Sequence, residues 1–222
     1  MSNVTASGGE MHAARDHAAD NGVTDGVLHG GDVPGQHDLG PAVERFDEEA
    51  DRALERWRGH PIADRIFTTA SHLGEFSLIW HVLNLALGIR HRRVDRIVVF
   101  AALIGLESLV VNQGIKRIFK RTRPTTSGEH GLEVRQPLTS SFPSGHASSA
   151  TFAASLLTRR SSGPLSALIW LAAGTVATSR AYVRIHHASD VIAGLVTGRA
   201  LYIVARRSFR RFGADDLLRP SR

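Results

Sequence analysis

Three short clusters carry the residues that could do chemistry. They are Lys116 with Arg123-Pro124, then Pro143-Ser144-Gly145-His146, then Ser179-Arg180 with His186 and Asp190. Lysine is a compact charge for phosphate oxygens, and arginine offers a planar fork that grips two of them. Ser144 and Gly145 precede an Ala/Ser-rich stretch with the signature of a helix start, where free N–H groups suit an oxyanion. Ser144 can equally be an ordinary N-cap there, with His146 a polar first-turn residue. In the other reading His146 delivers a proton to a leaving oxygen. His186 and Asp190 are four apart and share a face of a helix or tight turn. A carboxylate on one ring nitrogen leaves the other free as a nucleophile and stabilises the cation formed on attack. Alone, such a pair is most often a structural hydrogen bond. Together, the clusters hold what is needed to bind a phosphate and attack it with a histidine.

These residues must be positioned by apolar segments, because all three clusters lie at segment edges. The segments run over about 66–89, 97–119, 146–157, 164–178 and 191–205. The first two reach the roughly 20 residues that span a bilayer. The last three are short or polar and rely on flanks or shielding neighbours. Gly, Ser and Thr are frequent in them, as where helices pack closely in lipid. No alternation of strand type competes, so the expected fold class is all-α: a helical membrane bundle of about five transmembrane helices. Alternating topology brings the end of segment two, the start of three, the end of four and the start of five to one face.

Before the bundle, residues 41–60 form an amphipathic helix, opened by Pro41 and striped by Val43, Phe46, Ala50, Leu54 and Trp57. It either lies along the membrane interface or packs on the bundle. Residues 1–40 carry six acids against one base, eight glycines and no aromatic residue, which reads as a disordered tail. Its histidines, His12, His17, His29 and His37, are too irregularly spaced to argue for a metal. The bundle proper is placed at 61–206 and a basic tail at 207–222. The formal net charge is +6, and the bases bracket apolar runs, which points to a membrane partner and not to nucleic acid. With no cysteine, disulfides, thiolate nucleophiles and zinc–thiolate sites are excluded. No cleavable signal peptide is visible at the start.

The three clusters resemble the signature of the type 2 phosphatidic acid phosphatase superfamily. That group includes lipid phosphate phosphatases, bacterial undecaprenyl-diphosphate phosphatases, glucose-6-phosphatase and vanadium haloperoxidases. Every signature position is filled in order, and the resemblance covers about 66–205. It implies that His186 is the nucleophile, oriented by Asp190, and that His146 is the acid and then the base. It implies that Lys116, Arg123, Arg180, Ser144 and Gly145 cradle the phosphoryl oxygens. Three protein cations can stabilise the equatorial oxygens, so no metal and no cofactor is expected. The expected activity is hydrolysis of a lipid phosphate monoester or prenyl diphosphate through a phosphohistidine. A vanadate-dependent haloperoxidase and a non-catalytic anionic-lipid binder are the alternatives. Excess Arg in the loops opposite the clusters places those loops in the cytoplasm and the site on the extracytoplasmic face of the cell membrane. Finally, Glu107 and Arg199 lie nine residues from Lys116 and Asp190, deep in segments two and five. Either they form a buried ion pair, or Arg199 snorkels to the cytoplasmic interface while Glu107 is neutral or bonded to Ser/Thr.

Overall fold

The outward surfaces of four helices are apolar, while the helix at the centre is made of alanine and serine. That central element is α6 (Gly145–Leu157), in which every residue from Ala147 to Leu157 is buried. Around it stand α3 (Leu78–Arg90), α4 (Val94–Leu109), α7 (Pro164–Tyr182) and α8 (Ala188–Arg211). They turn outward Val82, Leu85 and Ile89; Val98 and Leu106; Leu168 and Leu171; and Val196 and Val204. Large apolar side chains outside and small polar ones inside invert a soluble core, and a lipid surround explains it. In this computed structural model the described residues are 39–124, 139–159 and 162–218. All regular structure among them is helical.

Three departures from the sequence reading have local causes. Segment one is broken: α2 (Pro61–Leu73) ends at Gly74, and Phe76 and Ser77 adopt positive φ before α3 begins. Segment two is a rod in which α4 passes through a π-helical turn, Val110–Ile115, into α5 (Lys116–Ile118). The boundary drawn at 207 falls inside α8, which continues to Arg211. Beyond it a 3-10 turn, Asp215–Leu218, folds back, with Asp215 bonded to Arg159 and Leu218 buried. Of these helices, α8 alone is long and apolar enough to cross a membrane by itself among the described residues. The tail at 1–40 lies outside the described residues except at its last two positions.

Close approach of α6 and α8 depends on two glycines one turn apart. A Cβ on Gly194 would sit 2.4 Å from the Ser144 carbonyl oxygen, and one on Gly198 would sit 2.2 Å from that of Ser148. Small residues let the backbones touch, as in helix pairs packed in lipid.

The Glu107–Arg199 ion pair is not formed. Glu107 accepts a hydrogen bond from Ser148, while Arg199 donates to Ser155 at 3.2 Å and lies 5.1 Å over the Tyr202 ring. The reason is architectural. Helix α6 stands between α4 and α8, and each charge is satisfied by a serine of α6. Ser148 and Ser155 are seven residues apart, about 10 Å along a helix axis.

The amphipathic segment forms α1 (Pro41–Glu55) and packs on α7 and α8. Its acids hold the turn that follows α7. Arg184 pairs with Asp51 at 3.0 Å and with Glu55 at 2.7 Å. Arg58, buried, pairs with the same two acids at 2.6 Å each and donates to the Tyr182 carbonyl at 2.9 Å.

Candidate active site

Four chain segments converge at one end of the bundle, and each brings one predicted residue or more. The α6 start is fixed by Ser144, whose Oγ caps the helix by accepting from the Ala147 N–H at 3.4 Å. The Ser144 N–H donates to the Asp190 carbonyl at 2.9 Å, which locks the starts of α6 and α8 together. A Cβ on Gly145 would meet the Asn112 side chain at 3.2 Å, so the π-helical turn borders the α6 N-terminus. The buried His146 Nε2 has no hydrogen-bond partner among the described residues. The ring lies beside Gly74, where an added Cβ would stand 2.9 Å from it.

The turn after α7 carries the second histidine. The N–H groups of Ile185 and His186 both donate to the Arg180 carbonyl, and Arg184 takes φ 54° between them. This hairpin buries His186 completely enough to leave it 3% exposed. Its Nδ1 lies 3.7 Å from Asp190 Oδ2, and its Nε2 lies 3.4 Å from Arg123 Nη1. Guanidinium only donates, so Nε2 must present its lone pair and Nδ1 must carry the proton toward Asp190. Burial, with Arg123 and Lys116 added, draws the imidazole pKa down to about 3 against the pull of Asp190. His186 is therefore an unprotonated base with its free nitrogen among cations.

Those cations are held by backbone and hydroxyl groups. Arg123 donates to the Ile185 carbonyl at 2.7 Å and to the Thr139 carbonyl at 3.1 Å. Arg180 bonds the Ser71 hydroxyl of α2, while its buried Nε has no hydrogen-bond partner among the described residues. Lys116, half-buried at the start of α5, lies within electrostatic reach of Arg123, Arg180 and Asp190. Thus all eight residues singled out in the sequence gather here: Lys116, Arg123, Ser144, Gly145, His146, Arg180, His186 and Asp190.

Sequence reasoning missed what surrounds them. Arg121 pairs with Asp190 Oδ1 at 2.6 Å and with Asp47 of α1 at 2.7 Å. Ser71, which holds Arg180, was also missed. Arg121 left a signal: it stands two residues before Arg123 in an extended stretch, where alternate residues share a side. That stretch pairs with the α6 approach, since Ser141 N–H donates to the Arg121 carbonyl at 3.0 Å. Asp47 left none, being one of many acids on α1.

Comparison with known proteins bears on the family and the fold. Residues 96–214 match the PAP2 superfamily. The decaprenylphosphoryl-5-phosphoribose phosphatase of Mycobacterium tuberculosis is 34% identical over 130 residues, 58% of this chain and 70% of the relative. The chain belongs to the PAP2 superfamily. The phosphatase of the same name from Mycolicibacterium smegmatis is 35% identical over 127 residues, 56% of this chain and 67% of that protein. Among solved structures, the transmembrane PAP2-type phosphatidylglycerolphosphate phosphatase of Bacillus subtilis superposes with a TM-score of 0.61 at 23% identity. That match covers 78% of this chain and 89% of that one. LpxE of Aquifex aeolicus gives a TM-score of 0.59 at 27% identity, covering 73% and 95%. This PAP2 member is a membrane phosphatase, a hydrolase of lipid phosphates.

Proposed function

We propose that this PAP2 phosphatase removes a phosphate from a prenyl-type lipid through a phosphohistidine on His186, without a metal. The observation that carries the reading is the His186 ring itself, with Nδ1 toward Asp190 and Nε2 toward Arg123. In the first step Nε2 attacks phosphorus, a P–N bond forms, and the P–O bond to the lipid breaks. His146, which takes up a proton as the anionic substrate binds beside it, gives that proton to the leaving oxygen, and Asp190 stabilises the charge on His186. In the second step water attacks phosphorus, gives its proton to His146, and the P–N bond breaks to release phosphate. Lys116, Arg123 and Arg180, with the α6 N-terminus at Ser144 and Gly145, neutralise the equatorial oxygens throughout. Activity is expected to survive EDTA, and strict dependence on magnesium would contradict this reading.

A lipid substrate is supported by an apolar groove of about 780 Å³ between α2 and α7, lined by Ile62, Ile66, Leu73, Leu168, Leu171 and Val176. Its end reaches the site at Gly74, where an added Cβ would touch both Val176 and His146. The names of the relatives favour a decaprenyl chain on a phosphorylated sugar. The apolar outer faces support a multi-pass protein of about five spans. Arg90, Arg92, Arg93, Arg96 and Arg159 lie at the far end of the bundle, and the positive-inside rule makes them support a cytoplasmic far end with the site outside.

Purified protein should be offered decaprenylphosphoryl-5-phosphoribose, phosphatidylglycerol phosphate, phosphatidate and a prenyl diphosphate in detergent. Preference for a prenyl substrate is expected. Equal rates on the glycerolipids would remove the prenyl assignment.

A further inference from the structure

Helix α1 lies outside the residues that match the PAP2 superfamily, yet it places a buried carboxylate behind the reacting histidine. Asp47 is 7% exposed. Its Oδ1 accepts from the Ser189 N–H at 2.7 Å, and its Oδ2 accepts from the Ser189 hydroxyl at 2.7 Å. The same Oδ2 accepts from Arg121 Nη2 at 2.7 Å. The other arm of Arg121, Nη1, donates to Asp190 Oδ1 at 2.6 Å and to the Ser189 hydroxyl at 2.8 Å. Asp190 is wholly buried, and its Oδ2 receives the His187 N–H at 2.9 Å while facing His186 Nδ1.

The geometry points to Asp47 as a positioning residue for the reaction, acting on His186 through Arg121, Ser189 and Asp190. Asp190 stabilises the imidazolium that forms on attack only to the extent that its charge is not already spent on Arg121. A guanidinium at 2.6 Å would draw that charge away. Asp47 takes half of the Arg121 fork and so leaves Asp190 a stronger partner for His186. It also holds the first turn of α8 through both polar groups of Ser189, which sets where the Asp190 carboxylate points. This makes α1 part of the catalytic apparatus. Outer partners that orient metal-ligating histidines change activity by about ten- to a hundredfold when removed, and an effect of that order is expected for a carboxylate that orients His186 in the same way.

The inference rests on His186 as the nucleophile, and the test separates the two. Full-length protein in detergent is assayed with para-nitrophenyl phosphate, in steady state and in single turnover with enzyme in excess. The single-turnover rate constant reports folded sites alone. Asp47→Asn keeps the shape and removes the charge; it is expected to lower that rate constant about tenfold, with KM not raised more than twofold. Glu49→Gln, on the exposed side of α1, is the control with an unchanged rate constant. Because Asp47 acts through Arg121, the Asp47→Asn/Arg121→Gln double variant should match Arg121→Gln alone within about twofold. An Asp47→Asn rate constant within twofold of the unmodified protein, whatever its melting temperature, would make α1 a structural strap and overturn the inference. A rise in KM at constant kcat would overturn it too, as would additive losses in the double variant. Should the unmodified protein be inert, or His186→Ala stay active, the nucleophile assignment fails instead.

Discussion

At the residue scale, the two histidines of the site differ in what surrounds them. His186 faces Asp190 with Nδ1 at 3.7 Å and Arg123 with Nε2 at 3.4 Å, whereas the Nε2 of His146 has no hydrogen-bond partner among the described residues and is open to the substrate. His186→Ala is expected to cost more than about a thousandfold in turnover without unfolding the protein, as for nucleophiles that act within a triad. Retention of more than about a thousandth of the activity in a purified, folded variant would count against it. Burial of His186 also links stability to pH. Its folded pKa of about 3 lies below the ordinary value of 6.5, so between these limits the unfolded chain binds the extra proton. The contribution is complete above pH 6.5 and is lost as pH falls toward 3. Melting temperature should drop through that window, and the drop should shrink in His186→Ala. The eight site residues were legible because their types and spacings are chemical requirements. The residues behind them were not, because an aspartate on a charged helix looks the same whether it faces water or Arg121.

Elements are positioned here by small side chains more than by large ones. The starts of α6 and α8 meet because Gly194 leaves room for the Ser144 carbonyl, and the same contact joins Ser144 to the Asp190 backbone. Gly194→Ala is expected to push Ser144 away from Asp190 and to reduce activity, alongside a stability loss of about 1–3 kcal/mol from overpacking. Gly198→Ala, one turn deeper and against Ser148, should cost similar stability with a smaller effect on the rate per folded molecule. Denaturation and single-turnover assays on both variants check this; equal rate losses would mean that Gly194 has no special link to the site. The helices themselves were readable from apolar run length. Their contacts were not. A Glu107–Arg199 pair was one of two arrangements open to the sequence, but the serines of α6 stand between them, and nothing in a one-dimensional pattern says which helix occupies the centre. The break at Gly74–Ser77 was equally hidden, since Phe76 and Ser77 are not residues that announce positive φ.

For the molecule at large, the described helices turn apolar side chains outward, as a lipid surround would favour. The chain has no cysteine, so a single introduced one reports its side of the membrane cleanly. Arg92→Cys in intact cells should resist a membrane-impermeant maleimide and react after permeabilisation. Labelling of intact cells would reverse the orientation proposed for the site. The central claim is that His186 carries the phosphoryl group between lipid and water. Its most direct test uses full-length protein in detergent, mixed with the lipid that the substrate panel selects, radiolabelled in the scissile phosphate. The reaction is quenched in alkali within a turnover, and the digested peptides are mapped. Label on His186 that is chased by unlabelled substrate, and that in His146→Ala still lies on His186 but forms and decays more slowly, is the expected result. Label on another side chain, or rapid turnover with no labelled protein at all, would contradict the account.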